Sequence, residues 1–351
     1  MRTIILTGGG TAGHIYGNIA LLPKLQTFFD NIIYVGSENG MEREILASYK
    51  QVKYIPIKTI KFTRKFTLKN LAIPFILHQA IKQCKKIVDQ EKPSVIFSKG
   101  GYVSVPIVLA GHKKHIPIIA HESDLSLGLA NRVIKNKVQC ICTTFPQTAQ
   151  SLKNGVWVGS PIRENLFKGD KNFIKNKFQI PPNTPILLVV GGSLGANLIN
   201  ELVWNNLDYL CSNFFVIHIT GRDKAKAIKH KNYVELEYCE KIENILAITD
   251  FALTRGGSNT IWEFVALKTP MLIIPLSLKI SRGDQEENAK YFEKMGYALT
   301  LSEANITQLY FKQKIKELKE QKDFIIKNMN ELPKRDTLEI IFKLIKKYSI
   351  N

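Results

Sequence analysis

At 351 residues with 45% hydrophobic content, the chain is long enough to bury two cores, and its evenly spread aliphatic and aromatic residues argue against disorder. The formal net charge of +19 fits nucleic acid, an anionic membrane surface or a lysine-rich background. Five cysteines without a CxxC pair fit a reducing compartment, and with neither a signal-peptide core nor a membrane-length apolar run the chain is expected to be soluble or peripheral.

From the amino terminus, Thr3-Ile4-Ile5-Leu6-Thr7 reads as a strand running into Gly8-Gly9-Gly10-Thr11-Ala12-Gly13-His14. A helix follows through Ile19 and Leu25. Gly8, Gly10 and Gly13 satisfy GxGxxG, with Glu38 after the next strand (32–35) as a ribose partner, but that motif alone is a weak signal. The loop also has Walker-A spacing, yet His14 stands where the phosphate-binding lysine belongs. His14 weakens the dinucleotide reading as well, since hydride transfer gives it nothing to do.

Further strands are expected at 53–57, 94–98, 116–120, 140–144 and 155–158. One ends at Gly100-Gly101-Tyr102, another at His121-Glu122-Ser123-Asp124. Apolar strands alternating with helices predict a parallel sheet covered on both faces, with ligands beyond the carboxyl ends of the strands. Between 58 and 86, Phe62, Phe66, Leu71, Phe75 and Ile76 are interleaved with Lys61, Arg64, Lys65 and Lys69. An apolar patch ringed by cations suits anionic lipid; the alternative is a buried helix.

The hydrophilic stretch 168–185 reads as an interdomain connection, after which the pattern restarts. A strand at 185–190 runs into Gly191-Gly192-Ser193-Leu194-Gly195, and strands at 215–221 and 233–236 follow. Next comes the strand 250–254, then Arg255-Gly256-Gly257-Ser258-Asn259-Thr260-Ile261-Trp262-Glu263, then a strand at 271–275. Ser258 or Asn259 can cap a helix whose bare amides favour an anion. Glu263, about one turn in, suits a diol, so phosphate plus ribose is the expected pairing; the alternative is a βα unit with a solvated carboxylate.

Seven motifs in order now carry a resemblance: 8–14, 100–104, 121–124, Gly128-Leu129-Ala130-Asn131-Arg132, Gly159-Ser160-Pro161-Ile162-Arg163, 191–196 and Asp284-Gln285-Glu286-Glu287-Asn288-Ala289. Together they resemble the MurG family of N-acetylglucosaminyltransferases, which convert lipid I to lipid II in peptidoglycan synthesis. The resemblance implies an α/β GT-B architecture of two doubly wound Rossmann-like domains facing a cleft. Residues 1–163 would form the acceptor and membrane-side domain and 164–335 the UDP-sugar domain. The helix in 336–351 would pack back on the first.

The partners implied are a UDP-N-acetylglucosamine donor, an undecaprenyl-linked lipid I acceptor and an anionic membrane surface at the cytoplasmic face, with no nucleic acid, cofactor or metal. By position, Thr11, Ala12 and Gly13 would lie near the donor diphosphate, Ser193 would bond a phosphate oxygen, and Arg163 would sit near the nucleotide. The backbone around Cys239 would read uracil. Ser258, Asn259, Thr260, Ile261 and Trp262 would hold diphosphate and ribose, with Glu263 on the ribose hydroxyls. Gln285 would bond hydroxyls of the transferred sugar, and Tyr102 would join the substrate-binding set. An inverting transfer needs a base, for which His14 is the candidate and Glu122 and Asp124 the rivals. The chain has Ser123-Asp124 where many members have Gln-Asn. A dinucleotide oxidoreductase, a non-catalytic nucleotide-sugar subunit and a UDP-N-acetylglucosamine epimerase remain alternatives.

Overall fold

The computed structural model describes residues 1–59, 73–192, 195–278 and 281–350. The chain forms two units, one of residues 1–163 with 335–351, the other of residues 164–334.

In the first unit β1 (Thr3–Thr7), β2 (Asn31–Ser37), β3 (Val52–Ile57), β4 (Val95–Ser98), β5 (Ile118–Glu122), β6 (Cys140–Thr143) and β7 (Gly155–Trp157) form one parallel sheet, in the order β3-β2-β1-β4-β5-β6-β7. Successive side chains of β1 feed two separate cores. Ile4 and Leu6 join Ile15 and Leu22 of α1 (Ala12–Leu25), whereas Ile5 faces Cys84 and Ile87 of helix Ile73–Glu91. A strand buried on both faces must be apolar throughout, which is why β1 reads as a run rather than an alternation.

The last helix, Thr337–Ile350, belongs to this unit. Ile341 and Ile345 are fully buried beside Ile4 and Phe97, each worth about 1.5–3 kcal/mol by burial. Thr337 Oγ1 donates to the Val158 carbonyl at 2.8 Å, and Lys24 meets Glu339 at 2.7 Å.

In the second unit β8 (Ile186–Val190), β9 (Phe215–Ile219), β10 (Tyr233–Leu236), β11 (Phe251–Thr254), β12 (Met271–Ile273) and β13 (Ala298–Thr300) form a parallel sheet, in the order β10-β9-β8-β11-β12-β13. The expected connection at 168–185 is instead structured. Asp170 caps helix Lys171–Lys177 by accepting from Phe173 N at 2.9 Å, and Ile174 is buried. One buried apolar residue was enough to dock a helix whose other residues are polar apart from the exposed Phe173.

Both sheets reverse direction beside their first strand: β1 has β2 on one side and β4 on the other, and β8 has β9 and β11. At such a switch point the loops leaving the two central strands part to opposite faces and leave a crevice at the carboxyl ends. The segments concerned are 8–11 and 99–103 in the first unit, and in the second 191–192, which follows β8, and 255–257.

Candidate active site

At the first switch point the two loops touch. A Cβ on Gly101 (φ +80°) would land on the Gly9 carbonyl oxygen and 3.1 Å from His14 Nδ1, so glycine is what lets them meet. His14 lies in the first turn of α1, its Nδ1 2.8 Å from the Gly9 carbonyl oxygen and 3.3 Å from Thr11 Oγ1. A carbonyl only accepts, so Nδ1 carries the proton and Nε2 the basic lone pair.

Buried side chains hold this loop from beneath. Tyr34 donates to the Gly8 carbonyl at 2.6 Å and Asn18 to the Thr7 carbonyl at 3.1 Å. Glu42, buried in helix α2 (Met41–Leu46), accepts from Ser37 N at 2.8 Å and from the Ser37 hydroxyl. Burial, reinforced by the Glu42 charge, raises the phenols of Tyr54 and Tyr102 and keeps them protonated. The Tyr102 ring lies against Gly10. Thr11 is exposed, while Ala12 and Gly13 are partly so.

Beyond β5 the carboxylate of Glu122 is consumed by its own turn. Oε1 accepts from Asp124 N at 3.0 Å, and Oε2 accepts from Gly128 N at 2.8 Å and Asn131 Nδ2 at 2.9 Å. Three donors on a buried carboxylate make it an anchor of the turn; Asp124 is half-buried. Beneath them Lys99, 1% exposed, places Nζ 2.9 Å from both His121 Nδ1 and Ser123 Oγ. Burial pulls the Lys99 ammonium down to about 7 against the opposing pull of Glu122 and Asp124, and holds His121 well below its usual range.

The second switch point is built of backbone. The cap of helix Ser258–Ala266 is Gly257, with no side-chain cap bond and no acid in the first turn. Ser258 and Asn259, expected as caps, lie inside the helix because Gly257 already has the extended conformation an N-cap needs (φ −74°, ψ 117°). A Cβ on Gly257 or Gly192 would meet nothing within 4 Å, so the peptide backbone is open to close approach. Ile261 is fully buried and the Trp262 ring packs edge-on against Phe292 at 5.1 Å. Those two side chains dock the helix. Asn259, Thr260 and Glu263 are half-buried.

Gln285 stands behind this turn. Its Oε1 accepts from Gly256 N at 3.1 Å and Leu276 N at 3.0 Å, and Asn288 donates to the Gly256 carbonyl at 3.2 Å. The amide oxygen is thus committed to the scaffold, and Nε2 is the end left to meet a sugar hydroxyl. Cys239 lies half-buried past β10, its thiol pushed up by burial. Arg163 stacks 3.9 Å over the Tyr16 ring in the first unit. Ser193 falls outside the described residues. A concavity of 850 Å³ in the second unit opens at the other end of the sheet, among Pro185, Asp250 and Lys322, and holds none of these residues. Among the described residues no three His, Cys, Asp or Glu side chains gather to hold a metal ion.

Residues 4–143 match the glycosyltransferase family 28 N-terminal domain and residues 186–342 its C-terminal domain. A Clostridium botulinum (strain Loch Maree) protein is 42% identical over 99% of this chain and 100% of its own length. The chain belongs to glycosyltransferase family 28, in its MurG branch. That relative, and a Clostridium tetani protein 40% identical over 99% of this chain and 98% of its own, are named UDP-N-acetylglucosamine--N-acetylmuramyl-(pentapeptide) pyrophosphoryl-undecaprenol N-acetylglucosamine transferases. In fold, this family 28 chain is similar to the crystal structure of Acinetobacter baumannii MurG (TM-score 0.77, 21% identity, 99% of this chain and 100% of that one). It is also similar to the kitacinnamycin glycotransferase (TM-score 0.74, 14% identity, 99% and 98%).

Lys99 and Glu42 escaped the sequence reading. Their one local signal is position, Lys99 between a fully buried strand and two glycines, and Glu42 just after the turn that follows β2.

Proposed function

We infer that this family 28 chain transfers N-acetylglucosamine from UDP-N-acetylglucosamine to the C4 hydroxyl of the muramyl sugar of lipid I, with inversion. The full-length match to the clostridial transferases carries the reading. The acceptor O4 bonds to the anomeric carbon as its proton passes to His14 Nε2, and the bond from that carbon to the diphosphate oxygen breaks. Charge gathering on the departing UDP is met by the uncapped first-turn amides of helix Ser258–Ala266 and by its dipole. Glu263 accepts from the ribose diol, Gln285 Nε2 donates to the sugar, and Asp124 serves the acceptor side.

Incubation with labelled UDP-N-acetylglucosamine and a lipid I analogue should yield the disaccharide lipid. Epimerised sugar alone, or tight NADH binding without UDP binding, would overturn the reading.

A polyprenyl acceptor stays in its bilayer, so the first unit must meet the headgroups, at the cytoplasmic face where the donor is made. Among the described residues no helix is long and apolar enough to cross a membrane. Phe75 is 66% exposed at the start of helix Ile73–Glu91, with Ile76 half-buried beside it. His78, Lys82 and Lys85 line a 320 Å³ concavity with Lys113. Phe62, Phe66, Leu71, Lys61, Arg64, Lys65 and Lys69 lie outside the described residues. Each cation near an anionic surface contributes about 1 kcal/mol, screened by salt. Replacing Lys61, Arg64, Lys65 and Lys69 by Gln should release the protein from anionic vesicles while sparing activity on a short soluble acceptor. Undiminished sedimentation with the vesicles would rule the stretch out as the membrane face.

A further inference from the structure

A fully buried lysine is costly unless something needs its charge, and the transfer as written gives Lys99 no part. Its surroundings are specific. The side chain runs beneath α1, close enough that a Cβ on Gly17 would strike the Lys99 stem. The ammonium then reaches His121 Nδ1 and Ser123 Oγ, both at 2.9 Å. Two observations agree on the state of His121. An ammonium only donates, so Nδ1 must accept, and Nε2, 3.4 Å from the Gly159 carbonyl oxygen, must carry the proton.

The charged groups acting on Lys99 are Glu122 and Asp124. Glu122 is already saturated by Asp124 N, Gly128 N and Asn131. Asp124 is the acceptor-side carboxylate of the transfer inferred above. A carboxylate at that position needs a counter-charge, which a carboxamide would not.

We propose that Lys99 is the positioning residue for Asp124: by fixing His121 in one neutral tautomer and gripping Ser123, it sets the place and charge of the acceptor-side carboxylate one residue further on. The proposal deepens the glycosyl-transfer reading and rests on it. Lys99 touches no substrate; it acts through the 121–124 segment.

The test is a double-mutant cycle in the full chain. Lys99→Met fills the same channel without a charge and should lower kcat by about 10- to 100-fold, as a small misplacement of a reacting group does, while the UDP Kd stays within about two-fold of wild type. In an Asp124→Asn background the same change should cost little, because the group that needed the counter-charge is gone. Imidazole nitrogen NMR should show His121 as the Nε2–H tautomer in the wild type and a mixture in Lys99→Met. Equal kcat losses in both backgrounds, or an unchanged His121 spectrum, would overturn the proposal. Should Lys99→Met fail to fold, Ser123→Ala removes one grip of the same ammonium and must show the same dependence on Asp124. A wild-type protein that transfers no sugar refutes the transferase reading instead, and the His121 spectrum still tests the Lys99 contact.

Discussion

The two switch points solve different problems with the same topology. At the first, titratable side chains gather around two glycine loops: His14 on the Gly9 carbonyl, Glu42 on Ser37, Lys99 on His121, and Glu122 on its own turn. At the second, β11 runs into Arg255, buried and paired with Glu303 at 2.6 Å, but beyond it the backbone is open at Gly257, as it is at Gly192 after β8, and the helix start is capped by glycine. One edge gathers ionisable side chains, and the other leaves the amides of a helix start open to approach. Sheet topology places both crevices, and the residue types that follow each strand decide what a crevice can do.

The sharpest way to break this contrast is His14→Ala. If the first edge is the proton-handling one, kcat should fall by roughly 10²–10⁴ with UDP affinity unchanged, measured by steady-state kinetics beside calorimetry. A loss confined to KM would demote His14 to loop orientation and pass the base role to Asp124. Next in size is Glu263→Ala, which should cost about 2–4 kcal/mol in kcat/KM for the donor, chiefly through KM. A normal donor KM would leave Glu263 as a surface carboxylate.

Gly257→Asp separates stability from binding at the second edge. The open space admits the side chain, and an acidic cap should leave the melting temperature equal or higher, since Asp is a better cap than Gly by a few tenths of a kcal/mol. The same carboxylate should weaken UDP binding by about 100-fold through like-charge repulsion. Tight UDP binding to this variant would mean that the diphosphate lies elsewhere.

The last expected effects are on stability against pH; both raise stability as pH rises, in two separate windows. Burial pulls Lys99 down to about 7 in the folded protein, so the unfolded chain holds the extra proton above that pH and stability rises from about 7 towards 10.5. Burial takes His218 down to about 4, so its contribution is intact above 6.5 and is lost as pH falls through that window, by about 3 kcal/mol at most. Chemical denaturation across pH should lose the alkaline gain in Lys99→Met and the acid loss in His218→Gln.

Much of the fold was legible because parallel strands buried on both faces announce themselves as apolar runs, and their loops as glycines. The residues of the second edge were legible for the same reason, since a backbone site is written locally in Arg255 to Glu263. Side-chain packing there was less so: Ile261 and Trp262 read as part of a binding motif, and nothing local shows that their side chains pack into the core and against Phe292. The buried charges were hidden for a stronger reason. Lys99 is stabilised by residues 22 and 24 positions away, and a lone lysine in a sequence reads as solvated until those partners are seen. Helix Lys171–Lys177 was missed because a single buried Ile174 gives no periodicity.

The return of residues 335–351 to the first unit bears on the order in which the molecule is made. Ile341 and Ile345 fill the face over Ile4 and Phe97, and they are synthesised after the whole of the second unit. At about 5–20 residues per second, the first unit waits roughly 10–40 s for its closing helix. During that interval its first-formed core has an open apolar side, whereas the second unit, continuous in sequence, has all its parts before the closing helix is made. The half that leaves the ribosome first is therefore the half that finishes last, and it is the one exposed to wrong partners while the chain is growing.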